Sequence, residues 1–319
     1  GVFAAATALF GITFAERSDL AGYNDEVRVF EVFDADGTGI GLFLADYYTR
    51  AGKQGGAWMN NIVDQNHLIG QRPVVVNNLN IVKPPAGQPT LLTWGEVTTL
   101  FHEFGHALHG LLSDTRYQSQ SGTETPRDFV EFPSQVNEMW SLDPTLLRRY
   151  AVHHETGEPI PAEWIDDLRA AELFNQGWLT TELLGASILD QGWHSTPIDA
   201  LPQNADEVAD FEQRVLAAGG IDYSLVPTRY RSTYFKHIFE GGYSAGYYSY
   251  IWSEVLDADT GAWFLANGGL TRANGQLYRD KLLAPGGSAE AMQSYRDFRG
   301  QDPDISHLLT RRGLATTTS

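Results

Sequence analysis

The 319-residue chain contains no cysteine. Disulfides and thiolate metal sites are therefore excluded, and histidine and carboxylate remain as the protein ligands for any zinc ion. The same absence fits the cytosol, where disulfides are rare. Positive charge is scarce as well: 22 Lys and Arg stand against 40 Asp and Glu, for a formal net charge of -18. Nucleic acid, which wants a basic surface, is not an expected partner. Such a field serves solubility or favours basic peptides. No apolar run approaches the roughly 18 residues needed to span a bilayer, so no membrane partner is expected. Internal repeats are absent, and the Thr-rich tail at 316 to 318 is the only low-complexity stretch. What is present is ample apolar material, 42% of the chain, enough for one large domain or two smaller ones.

The most informative stretch is His102-Glu103-Phe104-Gly105-His106. Two imidazoles four residues apart on a helix can hold one zinc ion while the glutamate between them faces water at the metal. The flanks predict that helix. Thr93 and Glu96 form a T-x-x-E capping box ahead of an apolar stripe at Val97, Leu100, Phe101, Phe104, Ala107, Leu108 and Leu111. Thr99, His102, Glu103, His106 and His109 line up on the other side. The helical rise separates the two motif histidines by roughly 6 Å along the axis, within reach of one ion. A buried amphipathic helix carrying these residues by coincidence is the plainer alternative.

A catalytic zinc wants three protein ligands and an open fourth position. The extended form of the motif would need glycine at 109 and histidine at 112, where the chain has His109 and Leu112. His109 itself lies about 10 Å from His102 along the axis, too far for both to reach one ion. A carboxylate from a second helix remains, and Glu131, set among Phe129, Val130 and Phe132, is the candidate; an ordinary exposed helix glutamate is the competing reading. Pro133 implies a helix that starts near Glu131 or kinks there.

The chemistry that follows is metal-assisted hydrolysis, with Glu103 as general base and later proton donor to the leaving amine. A donor for the developing oxyanion is also required. Tyr243, Tyr247 and Tyr250 sit at i, i+4 and i+7 and would share one helical face, behind a loop freed by Gly241 and Gly242. An aromatic core stripe is the alternative, although repeated hydroxyls suit a core poorly. Arg229, Arg231, Lys236 and Tyr247, near this segment in sequence, are candidates to hold a substrate's free carboxylate. Any of the three cations would serve equally as half of a structural ion pair.

The stretches FHEFGHALHG at Phe101 to Gly110, SGTETPRDFVEFPSQ at Ser121 to Gln135 and FKHIFEGGYSAGYYSY at Phe235 to Tyr250 resemble the thimet oligopeptidase family of zinc peptidases. Val32 to Gly37, Gly56 to Met59 and Arg229 to Arg231 support the match. The resemblance runs nearly end to end and is strongest to the family's bacterial dipeptidyl carboxypeptidase (peptidyl-dipeptidase) branch. It implies one Zn2+ held by His102, His106 and Glu131, Glu103 as general base, and substrate or transition-state contacts from His237, Tyr243 and Tyr250, with Tyr247 a weaker correspondence. It also implies a mostly helical two-lobed shell around a channel for short, unstructured peptides; with the absence of cysteine, a bacterial, cytoplasmic setting is expected. Family members are about twice as long, so residues 1–319 are expected to be the catalytic region, with the amino-terminal helical lobe as a missing partner.

The expected fold is thus mainly α with a small antiparallel β-sheet, a zincin-like catalytic lobe. Residues 1 to 22 read as a helix, and Val27 to Tyr48 as an antiparallel hairpin turning at Asp34 to Gly39. That turn imitates a calcium loop, but its twelfth position is Ala45 instead of an acidic ligand. Val74 to Val82 reads as a further strand, and a sheet edge near the metal would pair with substrate backbone. From Leu91 onward the pattern is helical, with breaks at Gly157 to Pro159, Gly219-Gly220 and Pro285 to Gly287. The activities compatible with this reading are release of carboxy-terminal dipeptides, endo-cleavage by an oligopeptidase of the same family, a zinc- and peptide-binding fragment without turnover, or a purely structural zinc site.

Overall fold

A computed structural model of the chain describes residues 1–314; the Thr-rich tail at 316 to 318 lies outside them. The first helix, α1, spans Val2–Phe10 and stops because Gly11 adopts φ 71, the left-handed cap that glycine takes without a Cβ penalty. The helix expected over residues 1 to 22 is therefore less than half that length. Thr13–Glu16 instead forms β1 and pairs antiparallel with β2, Arg28–Phe33.

The expected hairpin is present, with β3 at Gly39–Tyr48 antiparallel to β2. Its turn is tied by Arg279, which holds the Asp34 carboxylate through two bonds of 2.9 and 2.6 Å. β4 spans Trp58–Val63, a strand not expected from the sequence, and β5 spans Val74–Ile81. The sheet order is β1-β2-β3-β5-β4. β5 runs parallel to β3, with Leu42 opposite Val74, and antiparallel to β4. The sheet is accordingly mixed, not antiparallel: β5 returns beside β3 in the same direction and leaves β4 as the outer edge.

The named elements after β5 are all helices, as expected. α2 is Trp94–Leu111, α3 Arg127–Glu138, α4 Pro144–Tyr150, α5 Ala162–Glu172, α6 Gln176–Ser195, α7 Val208–Ala218, α8 Lys236–Phe239, α9 Ser249–Ala266, α10 Arg272–Tyr278, α11 Ala291–Arg299 and α12 Ser306–Arg311. α3 begins at Arg127, ahead of Glu131, and continues past Pro133. No helix among the described residues is long and apolar enough to cross a membrane.

The principal core joins α1, the sheet, α2, α3 and α9 to α11. Its aromatic centre stacks Phe3 on Phe14 at 4.0 Å and sets Phe43 edge-on to Phe104 at 5.2 Å. Phe104 thus roots the metal-motif helix in the sheet. A second apolar cluster unites Ala186 and Leu189 of α6 with Phe235, Ile238, Tyr243 and Tyr247. The candidate site residues come from elements of both clusters.

Candidate metal centre

α2 starts where the sequence places it. The Thr93 hydroxyl accepts from the Glu96 amide at 3.3 Å, and the Glu96 carboxylate accepts from the Thr93 amide at 2.7 Å, closing the capping box. Phe101, Phe104, Ala107, Leu108 and Leu111 are buried as the stripe requires, while Val97 and Leu100 are only partly covered. Two buried amides brace the motif turns. Asn77 of β5 donates to the Glu103 carbonyl at 2.7 Å, and Asn137 of α3 donates to the Phe101 carbonyl at 2.6 Å.

Gly105 lets α3 approach. A Cβ there would stand 2.6 Å from Ser134 Cα and 2.9 Å from Asn137 Cβ, so a larger residue would force the helices apart. The contact turns Glu131 toward the histidines. Glu131 Oε2 lies 3.1 Å from both His102 Nε2 and His106 Nε2, and one donor atom from each of the three residues falls within 4.8 Å of the others.

This donor set fits a zinc ion. Two imidazoles and a carboxylate are ordinary zinc ligands, and His102 Nδ1 lies 2.7 Å from Glu138 Oε1, the outer carboxylate contact that fixes ring orientation and leaves Nε2 to face the centre. Glu103, 5% exposed, has a buried Oε2 without a hydrogen-bond partner. A buried polar atom left unpaired is costly unless it serves a function or a ligand.

The electrostatics are strongly coupled. Burial raises the Glu103 pKa. Burial also disfavours charge on His102, but its bonds to Glu131 and Glu138 outweigh this and raise its pKa. For Glu131 burial is again the opposing influence, overcome by His106 and His102, which hold the carboxyl well below its usual range. His109, aligned with the polar face in the sequence, is wholly buried with both ring nitrogens unpaired, and burial followed by the charge of His106 pushes it down to about 3. It stands outside the ligand cluster.

The tyrosine segment differs from expectation. Tyr243, Tyr247 and Tyr250 do not share a helix, since α9 begins only at Ser249 and the preceding residues form turns. Gly242 at φ 79 and Ala245 at φ 56 interrupt helical geometry. The rings nevertheless converge, Tyr243 stacked on Tyr250 at 5.2 Å and Tyr247 against Tyr250 at 5.0 Å. The Tyr243 hydroxyl donates to Glu131 Oε1. Burial and then the Glu131 charge raise the Tyr243 pKa, keeping the phenol protonated. His237, half-buried, is lowered by burial and by Arg229.

A cleft of about 570 Å³ opens onto this centre. His102, Glu103, Glu131, His237, Tyr243 and Tyr250 face it, and residues 54–59, which lead into the edge strand β4, line it too. Tyr247, Arg229 and Arg231 are not among its lining residues. Tyr247 is buried in the second apolar cluster, Arg229 lies over the Tyr230 ring, and Arg231 is paired with Glu212 at 2.6 Å. Instead the cleft's cations are Arg127 and Lys236. Arg127, at the start of α3, lies 4.6 Å over the Tyr243 ring and forms no ion pair among the described residues. Sequence reasoning missed both Arg127 and Glu138. Glu138 was findable, because it follows Glu131 by seven residues and so returns to the same helical face.

Known proteins resemble the chain along nearly its whole length. The family model described as Peptidase family M3 matches residues 1–314. The chain is 52% identical over 314 residues to a dipeptidyl carboxypeptidase of Salmonella typhimurium and 49% identical to one of Escherichia coli, in each case over 98% of this chain and 46% of the relative. It is 37% identical to oligopeptidase A of Salmonella typhimurium, with the same coverage. The chain therefore spans about half the length of the curated relatives it matches. In fold, a Bacillus anthracis structure carrying the provisional name oligoendopeptidase F aligns with a TM-score of 0.50 at 16% identity, covering 85% of this chain and 39% of that one.

Proposed function

Since the chain belongs to peptidase family M3, we propose that residues 1–319 form the catalytic region of a zinc-dependent peptidyl-dipeptidase, which releases carboxy-terminal dipeptides from short, unstructured peptides. The observation that carries this reading is the convergence of His102, His106 and Glu131 beside the unpaired carboxylate of Glu103, inside a cleft. Cleavage from the carboxy terminus is favoured by the similarity to dipeptidyl carboxypeptidases.

His102, His106 and Glu131 would hold one zinc ion, with Glu138 orienting His102. Bound there, zinc supplies Lewis-acid polarisation of the scissile carbonyl and lowers the pKa of water. Glu103 removes a proton from the attacking water and delivers it to the leaving amine. Tyr243, protonated and cleft-facing, donates to the oxyanion, with Tyr250 stacked behind it. His237, kept neutral by its lowered pKa, supplies a further donor from the same wall.

Substrate backbone would pair along β4, whose Trp58 and Met59 line the cleft, because an edge strand offers free amides and carbonyls whatever the side chains. The free carboxylate then meets Arg127 or Lys236. Tyr247, packed against His237 and Tyr250, supports the wall from behind. The relatives' additional length would supply the opposite wall as a partner lobe, and the lack of cysteine accords with a bacterial cytoplasm.

The test is mass spectrometry of a short free-ended peptide and its carboxy-terminally amidated twin, each incubated with the zinc-loaded chain. Loss of a dipeptide from the free-ended peptide alone is the expected result. Internal cuts in both would favour the endo-acting alternative, which the 37% identity to oligopeptidase A keeps in view; bound zinc without cleavage would overturn the assignment of activity to this chain alone.

A further inference from the structure

The segment 240–248 carries Tyr243 from the second apolar cluster to Glu131 of α3, and its geometry is set from outside α2 and α3. α6 packs beneath it, with Ala186 and Leu189 in the same apolar cluster as Tyr243 and Tyr247. From α6 the side chain of Asp190, 0% exposed, reaches the turn itself. Its Oδ1 accepts from the Ala245 amide at 2.9 Å and its Oδ2 from the Tyr247 amide at 2.8 Å. His194 Nδ1, one helical turn along α6, lies 2.8 Å from Oδ1. The adjacent Gln191 donates to the Ala245 carbonyl at 2.8 Å. Both backbone polar groups of Ala245 are thus held by α6.

Ala245 needs holding. Its φ of 56 lies in the left-handed region, which an alanine occupies only when its surroundings compel it. The amides of residues i and i+2 around such a turn converge to form a small anion-binding nest, and the Asp190 carboxylate fills it. Tyr243 stands two residues before the nest, where its amide bonds to the His237 carbonyl at 3.0 Å and its hydroxyl to Glu131. Tyr250 stands three residues after it.

We propose that Asp190, seconded by Gln191, is a positioning residue for catalysis, clamping the Ala245 turn so that Tyr243 is delivered to the metal centre with its hydroxyl already aimed. This rests on the peptidase reading above. Asp190 does not touch the cleft and acts only through the turn.

Asp190→Asn is isosteric but replaces one acceptor oxygen with a donor that faces an amide. In the zinc-loaded chain it is expected to leave zinc content unchanged and to raise hydrogen exchange at the Ala245 and Tyr247 amides by about tenfold or more. kcat should fall roughly tenfold to a hundredfold, the scale on which small misplacements act, with KM changed by less than about threefold. Combining it with Tyr243→Phe should cost less than about twofold beyond the worse single variant, because both act through one hydroxyl. Unchanged exchange at the two amides, or losses that multiply with Tyr243→Phe, would overturn the proposal. Should Asp190→Asn fail to fold, Gln191→Ala at an exposed helix position removes only the bond to Ala245; faster exchange across 243–248 with lower kcat is then expected, and no change in either would overturn it. A wild-type chain that binds zinc but cleaves nothing overturns the assignment of activity to this chain alone, while the exchange measurements still decide whether Asp190 holds the turn.

Discussion

The Tyr243 hydroxyl donates to one oxygen of the Glu131 carboxylate, and the other oxygen faces both motif histidines. Residues 112 positions apart are thereby joined at the metal centre, and the phenol expected to serve the transition state is already there. Because the hydroxyl is protonated and its ring is stacked on Tyr250, little reorganisation separates this arrangement from donation to an oxyanion.

Tyr243→Phe removes that donor while keeping the stacked ring. kcat should fall about a hundredfold or more, with zinc content intact and KM nearly constant, as for loss of an oxyanion-hole donor. Steady-state kinetics beside metal analysis checks this, and a KM-dominated effect would reassign Tyr243 to ground-state binding.

Glu138→Ala leaves His102 Nδ1 without its carboxylate. Zinc affinity should weaken roughly tenfold to a hundredfold, the range found for outer partners of metal-bound histidines. Competition with a chelator of known affinity measures it; unchanged affinity would show that the 2.7 Å contact does not orient the ring.

Gly105→Ala tests the helix crossing that aligns the donors. The new methyl would meet Ser134 Cα at 2.6 Å, so α2 and α3 must separate. Overpacking of this kind costs about 1–3 kcal/mol. Urea unfolding should show that loss together with weaker zinc retention; full stability and full zinc would mean the crossing is looser than the contact implies.

Acid stability has an identifiable contributor away from the cleft. Asp46 is 1% exposed. Burial alone would raise its pKa, but bonds from Arg50, Tyr23 and Lys53 bring it from 3.8 down to about 2. With the folded-state value depressed, the stabilisation is complete above about pH 4 and is lost as pH falls through 2. The shift corresponds to about 2 kcal/mol. Asp46→Asn should therefore be less stable at pH 7 by at least about that amount, with the difference narrowing as the pH approaches 2. Urea titrations across that range check both size and direction.

The parts of this protein that were legible in its sequence are those encoded locally. Thr93 and Glu96 marked the start of α2, the spacing of His102 and His106 placed both imidazoles on one face, and the turn between Phe33 and Gly39 specified the β2–β3 hairpin. The pairing of β5 with β3 was not legible, because a strand's own pattern does not say which neighbour it joins or in which direction. β4 escaped notice since Trp58–Val63 lies at the edge and only partly buries its residues. The tyrosine spacing suggested a helix, yet Gly242 and Ala245 bend the chain and bring the rings together by a different route. Arg127 and Asp190 make their contacts with segments distant in sequence, which no local pattern records.

The most direct test of the account is the pairing of zinc stoichiometry with peptide turnover for Glu103→Gln. The amide keeps the shape of the side chain and leaves His102, His106 and Glu131 in place, but it cannot accept the proton. One zinc ion per chain with turnover lowered by a factor of about 100 to 10,000 is predicted; near-normal turnover with zinc bound would contradict Glu103 as the base and the mechanism built on it.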